Sequence, residues 1–384
     1  MWLFVILSVM SILLLGYAAI LLLYRKWFLQ LTPFVKPAAI KSATRFSIII
    51  PARNEGLFIG DCIHSIIQQK YPSHLFEVIV IDDHSSDNTS EIILQLSQQY
   101  NNIKLITLAD ELNGQILNSY KKKAIENAIG HATGEWIITT DADCIAPQNW
   151  LSNFDACIQL NNPVLVAAPV QYTEDGSLLQ TFQALDFMVM QGVTFASVHA
   201  GFHNMCNGAN LGYKKAVFFE LNGFRDIDDI ASGDDMLLMN KFKKAYPNNI
   251  NILFSDESIV TTYPMPSWKS FFNQRIRWAS KAEKFKSKDQ KVFAVLVLVY
   301  CLNVILFIMP FFALLFPAFW LYWFLFLSIK TTIELTFALP VAKFFKQKFV
   351  WWFPLLQPLH IAYIVVSGWL GKFGSYHWKG RNVQ

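Results

Sequence analysis

The most apolar long stretches of this chain carry no Lys, Arg, Asp or Glu: Trp2 to Tyr24, Val292 to Ile329 and Phe349 to Leu370. About 20 consecutive apolar residues cross the hydrocarbon layer of a bilayer as a helix. Within that layer only elements that satisfy their own backbone persist. The two ends are thereby restricted to membrane helices, and a soluble fold is left to the middle. Composition agrees, with 53% of residues hydrophobic and 16% charged, against about 25% charged in ordinary globular domains.

The first run is followed, not preceded, by positive charge: Arg25, Lys26, Lys36, Lys41 and Arg45. A cleaved signal peptide wants the opposite order and a shorter apolar core. The expectation is an uncleaved anchor over residues 1–24 with its carboxyl side in the cytoplasm, as in an inner-membrane protein. Val292 to Ile329 is too long for one span and suits a helical hairpin, with Pro310 and Pro317 near the turn. Phe349 to Leu370, bounded by Lys348 and Lys372 and broken by Pro354 and Pro358, completes a membrane region over 292–371 of two or three segments. If all four segments span, Lys372, Lys379 and Arg381 end outside, against the positive-inside rule. Two readings stay open: the last block lies in the interface or re-enters, or the short tail is tolerated outside. Lys330 and Glu334, four apart near a membrane end, are an intrahelical or a snorkelled pair.

The net charge of +4 sits beside these segments, which suits anionic headgroups and not nucleic acid. The five Cys (62, 144, 157, 206, 301) show no C-x-x-C or Cys/His spacing, so neither a disulfide framework nor a zinc site is expected.

Between the anchors, short apolar runs alternate with helix-like stretches. Strands are expected at 48–51, 78–81, 103–108, 136–139 and 164–168, and helices at 61–69 and 90–99. Such alternation predicts a mostly parallel sheet covered by helices. Ligands of these sheets bind beyond the carboxyl ends of the strands, and the polar motifs fall at those ends. Thr140-Asp141-Ala142-Asp143 follows one strand. Asp141 and Asp143, spaced i, i+2, can meet one hard divalent cation, Mg²⁺ or Mn²⁺, whose open positions take phosphate oxygens. A turn is the competing use of the same residues.

Asp82 and Asp83 end another strand, where a carboxylate can accept the N3–H of uracil and Asp87 can cap the next helix. Lys121-Lys122-Lys123 offers a cation for a diphosphate or simply a solvated face. Gly233-Asp234-Asp235, after Asp226, Asp228 and Asp229, reads on its own as a polar helix start capped by Asp234 or Ser232. In a helix-like stretch over about 267–285, Gln274, Arg277 and Trp278 share one face at i, i+3 and i+4. Arg277 can bridge diphosphate oxygens and Trp278 can stack on a sugar. The same stretch also reads as an amphipathic helix on the membrane surface.

The succession Pro51-Ala52-Arg53-Asn54-Glu55, Asp82-Asp83, Asp141-Ala142-Asp143, Gly233-Asp234-Asp235 and Gln274-Arg275-Ile276-Arg277-Trp278 resembles the family 2 glycosyltransferases, in their membrane-bound Q-x-x-R-W branch. The likeness covers about residues 45–282. It implies an α/β GT-A domain, a Rossmann-like mixed sheet flanked by transmembrane helices. It further implies that Pro51, Glu55, Asp83, Lys122 and Asp141 bind the nucleotide-sugar donor and that Asp141 and Asp143 hold the cation. Asp235 is then the general base of an inverting transfer, with Gln274, Arg277 and Trp278 at the diphosphate and acceptor. Tyr120 departs from the Gly often found before the first lysine in the family. A lipid or lipid-linked acceptor is expected, because one anchor and two or three further segments are thin for a polymer channel without an oligomer or partner subunit. The alternatives are a processive polysaccharide synthase with such a partner, or a membrane-tethered nucleotide-sugar-binding protein without catalysis.

Overall fold

A computed structural model describes residues 2–112, 119–203, 205–228, 233–280, 290–373, 376–378 and 381–383. The chain begins with α1 (Trp2–Leu29), β1 (Phe46–Ala52), α2 (Ile59–Ile67), β2 (Phe76–Asp82), α3 (Thr89–Gln99), β3 (Ile103–Thr107) and α4 (Leu108–Leu112). It continues through α5 (Tyr120–His131), β4 (Trp136–Thr139), β5 (Cys144–Ile145), α6 (Trp150–Asn161), β6 (Leu165–Ala167), β7 (Val170–Tyr172) and α7 (Leu178–His199). Then come β8 (Leu211–Lys214), α8 (Lys215–Glu220), α9 (Asp234–Ala245), β9 (Ile250–Ile252), β10 (Val260–Thr262) and α10 (Trp268–Ala279). The last elements are α11 (Gln290–Leu315), α12 (Ala318–Phe344), α13 (Phe353–Phe373) and the hairpin β11 (Tyr376–Trp378) and β12 (Arg381–Val383).

These elements form two compact units, one of Thr32–Thr173 and Asn204–Tyr263, the other of Met1–Leu31, Glu174–His203 and Pro264–Gln384. The expected continuous domain over 45–282 is therefore interleaved: α7 and α10 belong with the apolar helices. Asp229, Ser232 and residues 281–285 lie outside the described residues.

The first unit is built on a seven-stranded sheet in the order β3-β2-β1-β4-β8-β6-β9. Strands β3, β2, β1 and β4 run parallel, while β8 is antiparallel to both its neighbours. The sheet is thus mixed. Strands β1 and β2 are buried along almost their whole length, which is why they read as unbroken apolar runs rather than alternating ones. Pro51 lies past the last β1–β4 pair, Ile49 with Thr139, so its missing N–H breaks no ladder bond there. A smaller sheet, β5-β10-β7, has no counterpart in the sequence reading.

The opposite edge of the sheet is tied by one carboxylate. Glu77 accepts from the Ser47 hydroxyl at 2.6 Å, from the Thr133 N–H at 2.6 Å and hydroxyl at 2.7 Å, and from Lys104 at 3.1 Å. Gly134 completes the join: its N–H donates to Ser47 Oγ, and a Cβ there would stand 2.6 Å from the Ser47 nitrogen. Burial alone would raise the Glu77 carboxyl, but its donors, led by Ser47 and Thr133, lower it from 4.5 to about 2. A carboxyl depressed on folding stabilises fully above its unfolded value and loses that contribution as pH falls through the folded one. Glu77→Gln should therefore cost about 2–3 kcal/mol at neutral pH. Melting curves of the detergent-solubilised protein should converge with wild type between pH 4.5 and about 2. A constant gap across that range would show that Glu77 is not the titrating group.

In the second unit, α1 packs on α7 and α12, and α11 packs on α12 and α13. Among the described residues, four helices are long and apolar enough to cross a membrane: Phe4–Leu29, Gln290–Leu315, Ala318–Phe344 and Phe349–Lys372. The hairpin turns at Phe316 and Pro317, whereas Pro310 lies inside α11. Helix α12 does not stop at Ile329 but continues through Lys330 and Glu334 to Phe344. That is possible because the two charges meet at 2.6 Å and are buried together, an intrahelical pair.

Candidate active site

At the carboxyl edge of β1 and β2, two loops are knitted by their own polar groups. Asn54, in the left-handed region at φ 53°, receives the Ser86 N–H on its side-chain oxygen at 2.8 Å and donates its N–H to the Ser85 hydroxyl at 2.9 Å. Asparagine tolerates that backbone better than most residues. Glu55 donates its N–H to the Thr89 hydroxyl at 2.8 Å, and its carbonyl starts the turn into α2.

The two aspartates after β2 divide their work. Asp82 accepts from the Ser85 N–H and hydroxyl and from Ser90 at 2.7 Å, so it fixes the turn. Asp87 holds the start of α3 through the Thr89 N–H and hydroxyl and also takes the Gly56 N–H. Asp83 is buried, 3.7 Å from the Arg53 guanidinium and 2.9 Å from His84 Nδ1. The His84 ring meets Tyr120 edge-on with centroids 5.8 Å apart, joining this loop to the start of α5. The unexpected Tyr120 thus has a partner in the loop that carries Asp83.

Beyond β4, the Cys144 N–H donates to the Asp141 carbonyl at 3.1 Å. Asp141 and Asp143 therefore bracket a tight turn, and both are half-buried. Facing them is Lys121, with Nζ 2.7 Å from Asp141 and 3.7 Å from Asp234. Burial opposes the Lys121 charge, but Asp141 and then Asp234 raise its pKa well above the ordinary lysine value. Lys122, singled out in the sequence, turns inward instead: it is buried and donates to the Ile227 carbonyl at 2.5 Å. Successive helical side chains point about 100° apart, so only one of three consecutive lysines can face the acids.

Asp235 sits in the first turn of α9, which starts after Gly233 at φ 75°. Its Oδ2 accepts from the Gly208 N–H at 3.0 Å and its Oδ1 from the Met236 N–H at 2.7 Å. The Gly208 carbonyl in turn accepts from the Thr139 hydroxyl at 2.7 Å, at the end of β4. One peptide segment thus clasps the strand that carries Asp141 and the helix that carries Asp235. It is anchored by Asn210, fully buried, which donates to the Pro169 and Ser258 carbonyls and accepts from the Trp150 indole. Burial, with the Asp235 and Asp234 charges adding to it, raises the neighbouring Cys206 thiol well above its usual value, so this cysteine stays neutral.

The structure therefore brings Asp141, Asp143, Lys121, Asp234 and Asp235 to one edge of one unit, next to the loops of Pro51, Glu55 and Asp83. Gln274, Arg277 and Trp278 lie on α10 in the other unit. There the motif's spacer Arg275 is its most buried polar member, paired with Asp186 at 2.9 Å. Sequence reasoning named Lys121 only as one of three neighbouring lysines and gave Arg275 no role of its own. For Arg275 the only signal was its place inside the motif.

A family model described as Glycosyl transferase family 2 matches residues 47–217, and one described as Glycosyl transferase family group 2 matches residues 136–366. A glycosyltransferase of Haloferax volcanii is 31% identical over 147 residues, 38% of this chain and 46% of that protein. The poly-beta-1,6-N-acetyl-D-glucosamine synthase of Staphylococcus epidermidis is 26% identical over 278 residues, 68% of this chain and 61% of that protein. The chain thus spans about half to three fifths of the length of these relatives. A mannosyltransferase from Pyrobaculum calidifontis, solved with GDP-Man and Mn²⁺, matches 96% of this chain and 98% of its own at a TM-score of 0.60 and 17% identity, a likeness of fold. With the mixed sheet above, the fold is that of GT-A enzymes. The chain belongs to the family 2 glycosyltransferases.

Proposed function

We propose that this chain is a membrane-bound, inverting glycosyltransferase that moves a sugar from a nucleotide-diphosphate donor, preferably a UDP-sugar, to a lipid or lipid-linked acceptor. The observation that carries the reading is the meeting of Asp141, Lys121, Asp234 and Asp235 around the Gly208 clasp. Departure of a nucleoside diphosphate needs positive charge at the phosphates, and attack by a hydroxyl needs a carboxylate to take its proton. Lys121 and Asp235 are those groups here, with Pro51, Glu55 and Asp83 as the nucleotide loops.

Asp141 and Asp143 are the residues that would hold a divalent cation. Two carboxylates on a turn form a hard oxygen donor set. Among the described residues no cage of three or more His, Cys, Asp or Glu surrounds them, and Mg²⁺ or Mn²⁺ sites of this kind are commonly completed by phosphates and water. Bound there, the ion would neutralise the diphosphate. Asp235 accepts the acceptor hydroxyl's proton while its two N–H donors fix its orientation, and direct displacement inverts the anomeric carbon. Gln274, Arg277 and Trp278 keep the diphosphate and acceptor roles that the resemblance implies. Four apolar helices support a multi-pass membrane protein, and the basic residues after α1 support a cytoplasmic catalytic domain. A polymer synthase is the second reading, favoured by the length of the match to the Staphylococcus enzyme.

Membranes carrying the protein should transfer label from one member of a panel of UDP- and GDP-sugars into the organic-extractable fraction. EDTA should abolish transfer and Mn²⁺ restore it. Label in long polymer would establish the synthase. Transfer indifferent to EDTA would remove the cation, and no transfer from any donor would leave only a tethered nucleotide-sugar-binding protein.

A further inference from the structure

Arg275 is the spacer of the Q-x-x-R-W motif, yet its surroundings are more built than those of an ordinary helix residue. Its guanidinium carbon lies 4.1 Å from the centroid of the Trp278 ring and 4.8 Å from that of Phe271. One nitrogen donates to Asp186 Oδ2 at 2.9 Å and another to the Gln274 side-chain oxygen at 3.0 Å. Asp186, on α7, is itself buried and accepts the Tyr363 hydroxyl from α13 at 2.5 Å, with His360 Nε2 at 3.6 Å. Phe182, Phe271 and Tyr363 pack edge to face around this pair, with centroids 5.4–5.6 Å apart.

A buried carboxylate is costly unless paired and hydrogen-bonded, and a packed hydrophobic contact would hold α7, α10 and α13 together at no such cost. A planar guanidinium gripped at one edge is held in place, and its carbon lies over the Trp278 ring. We infer that Asp186, braced by Tyr363, is a positioning residue for Trp278, acting by locking the Arg275 guanidinium over the indole. The inference rests on the reading of Trp278 as an acceptor residue. Asp186 itself touches neither donor nor acceptor in this account, so its loss should be felt only through the indole.

The test is a mutant cycle on the full chain in phosphatidylglycerol vesicles. UDP-glucose, UDP-N-acetylglucosamine and GDP-mannose are offered in turn as donor, with diacylglycerol or polyprenyl phosphate as acceptor. Asp186→Asn is expected to lower kcat/KM for the acceptor on the order of 10- to 100-fold. The KM for the donor and the slow release of nucleotide without acceptor should stay unchanged. In a Trp278→Ala background the same substitution should cost less than about threefold, because coupled residues do not add. If Asp186→Asn does not accumulate, Tyr363→Phe and the neutral pair Asp186→Asn with Arg275→Gln enter the same cycle. An equal cost in both backgrounds, or full transfer by every variant but Trp278→Ala, overturns the positioning role alone. Full transfer by Trp278→Ala, or none by the wild type to either acceptor, overturns the acceptor reading and this inference with it.

Discussion

Asp235→Asn should lower turnover on the order of 10²- to 10⁴-fold, the range expected when a positioned base is removed, while donor affinity stays within a few fold. The substitution is close to isosteric, so the α9 start and the Gly208 clasp remain. Both carboxylate oxygens accept backbone N–H groups, from Gly208 and Met236. An amide can satisfy only one of them with its oxygen, and its NH₂ then faces the other donor. A stability loss of about 1–2 kcal/mol is expected for that mismatch, and a melting curve separates it from the catalytic loss. Asp234→Asn is the matched comparison. It removes a charge facing Lys121 at 3.7 Å and should act on donor binding more than on turnover. Calorimetric donor affinity and single-turnover transfer on the three proteins decide the matter. Turnover by Asp235→Asn above a tenth of wild type would move the base to another residue.

The β1–β4 half of the sheet was legible because central parallel strands are apolar throughout and end where the polar motifs begin. Asp83, Asp141 and Asp143 could be placed at strand ends for that reason alone. Strand β8 was not legible: four residues, Leu-Gly-Tyr-Lys, carry no period, and the strand enters antiparallel after the excursion of α7. The choice among Lys121, Lys122 and Lys123 needs the rotation of α5, which no spacing supplies for three identical neighbours. The interleaving of the two units is invisible for a related reason. Helix α7 is buried over most of its length, and a helix that apolar reads alike in a soluble core and beside membrane helices. Its Gly192 tells more in three dimensions, since a Cβ there would stand 2.5 Å from Val341 on α12.

The largest effect on stability is expected from Lys330→Met. Lys330 is completely buried on α12, donating to Glu334 at 2.6 Å and to the Gln357 side-chain oxygen at 2.8 Å. Gln357 returns a bond to Glu334 at 2.6 Å, and the Tyr17 hydroxyl of α1 donates to the same carboxylate. Three apolar helices therefore meet on one ion pair. Removing only the cation strands a carboxylate where no water can solvate it, which costs about 3–5 kcal/mol for buried pairs. In a protein of this size that corresponds to a fall of roughly 4–6 °C in melting temperature. Adding Glu334→Gln should recover most of the loss. The amide still accepts from Tyr17 and exchanges bonds with Gln357, and no charge is left unpaired. If the double variant melts as low as the single one, the attraction between the charges, and not the cost of an orphaned carboxylate, holds α1, α12 and α13 together. In a bilayer the same logic predicts that Lys330→Met is depleted by membrane proteolysis while the double variant accumulates normally.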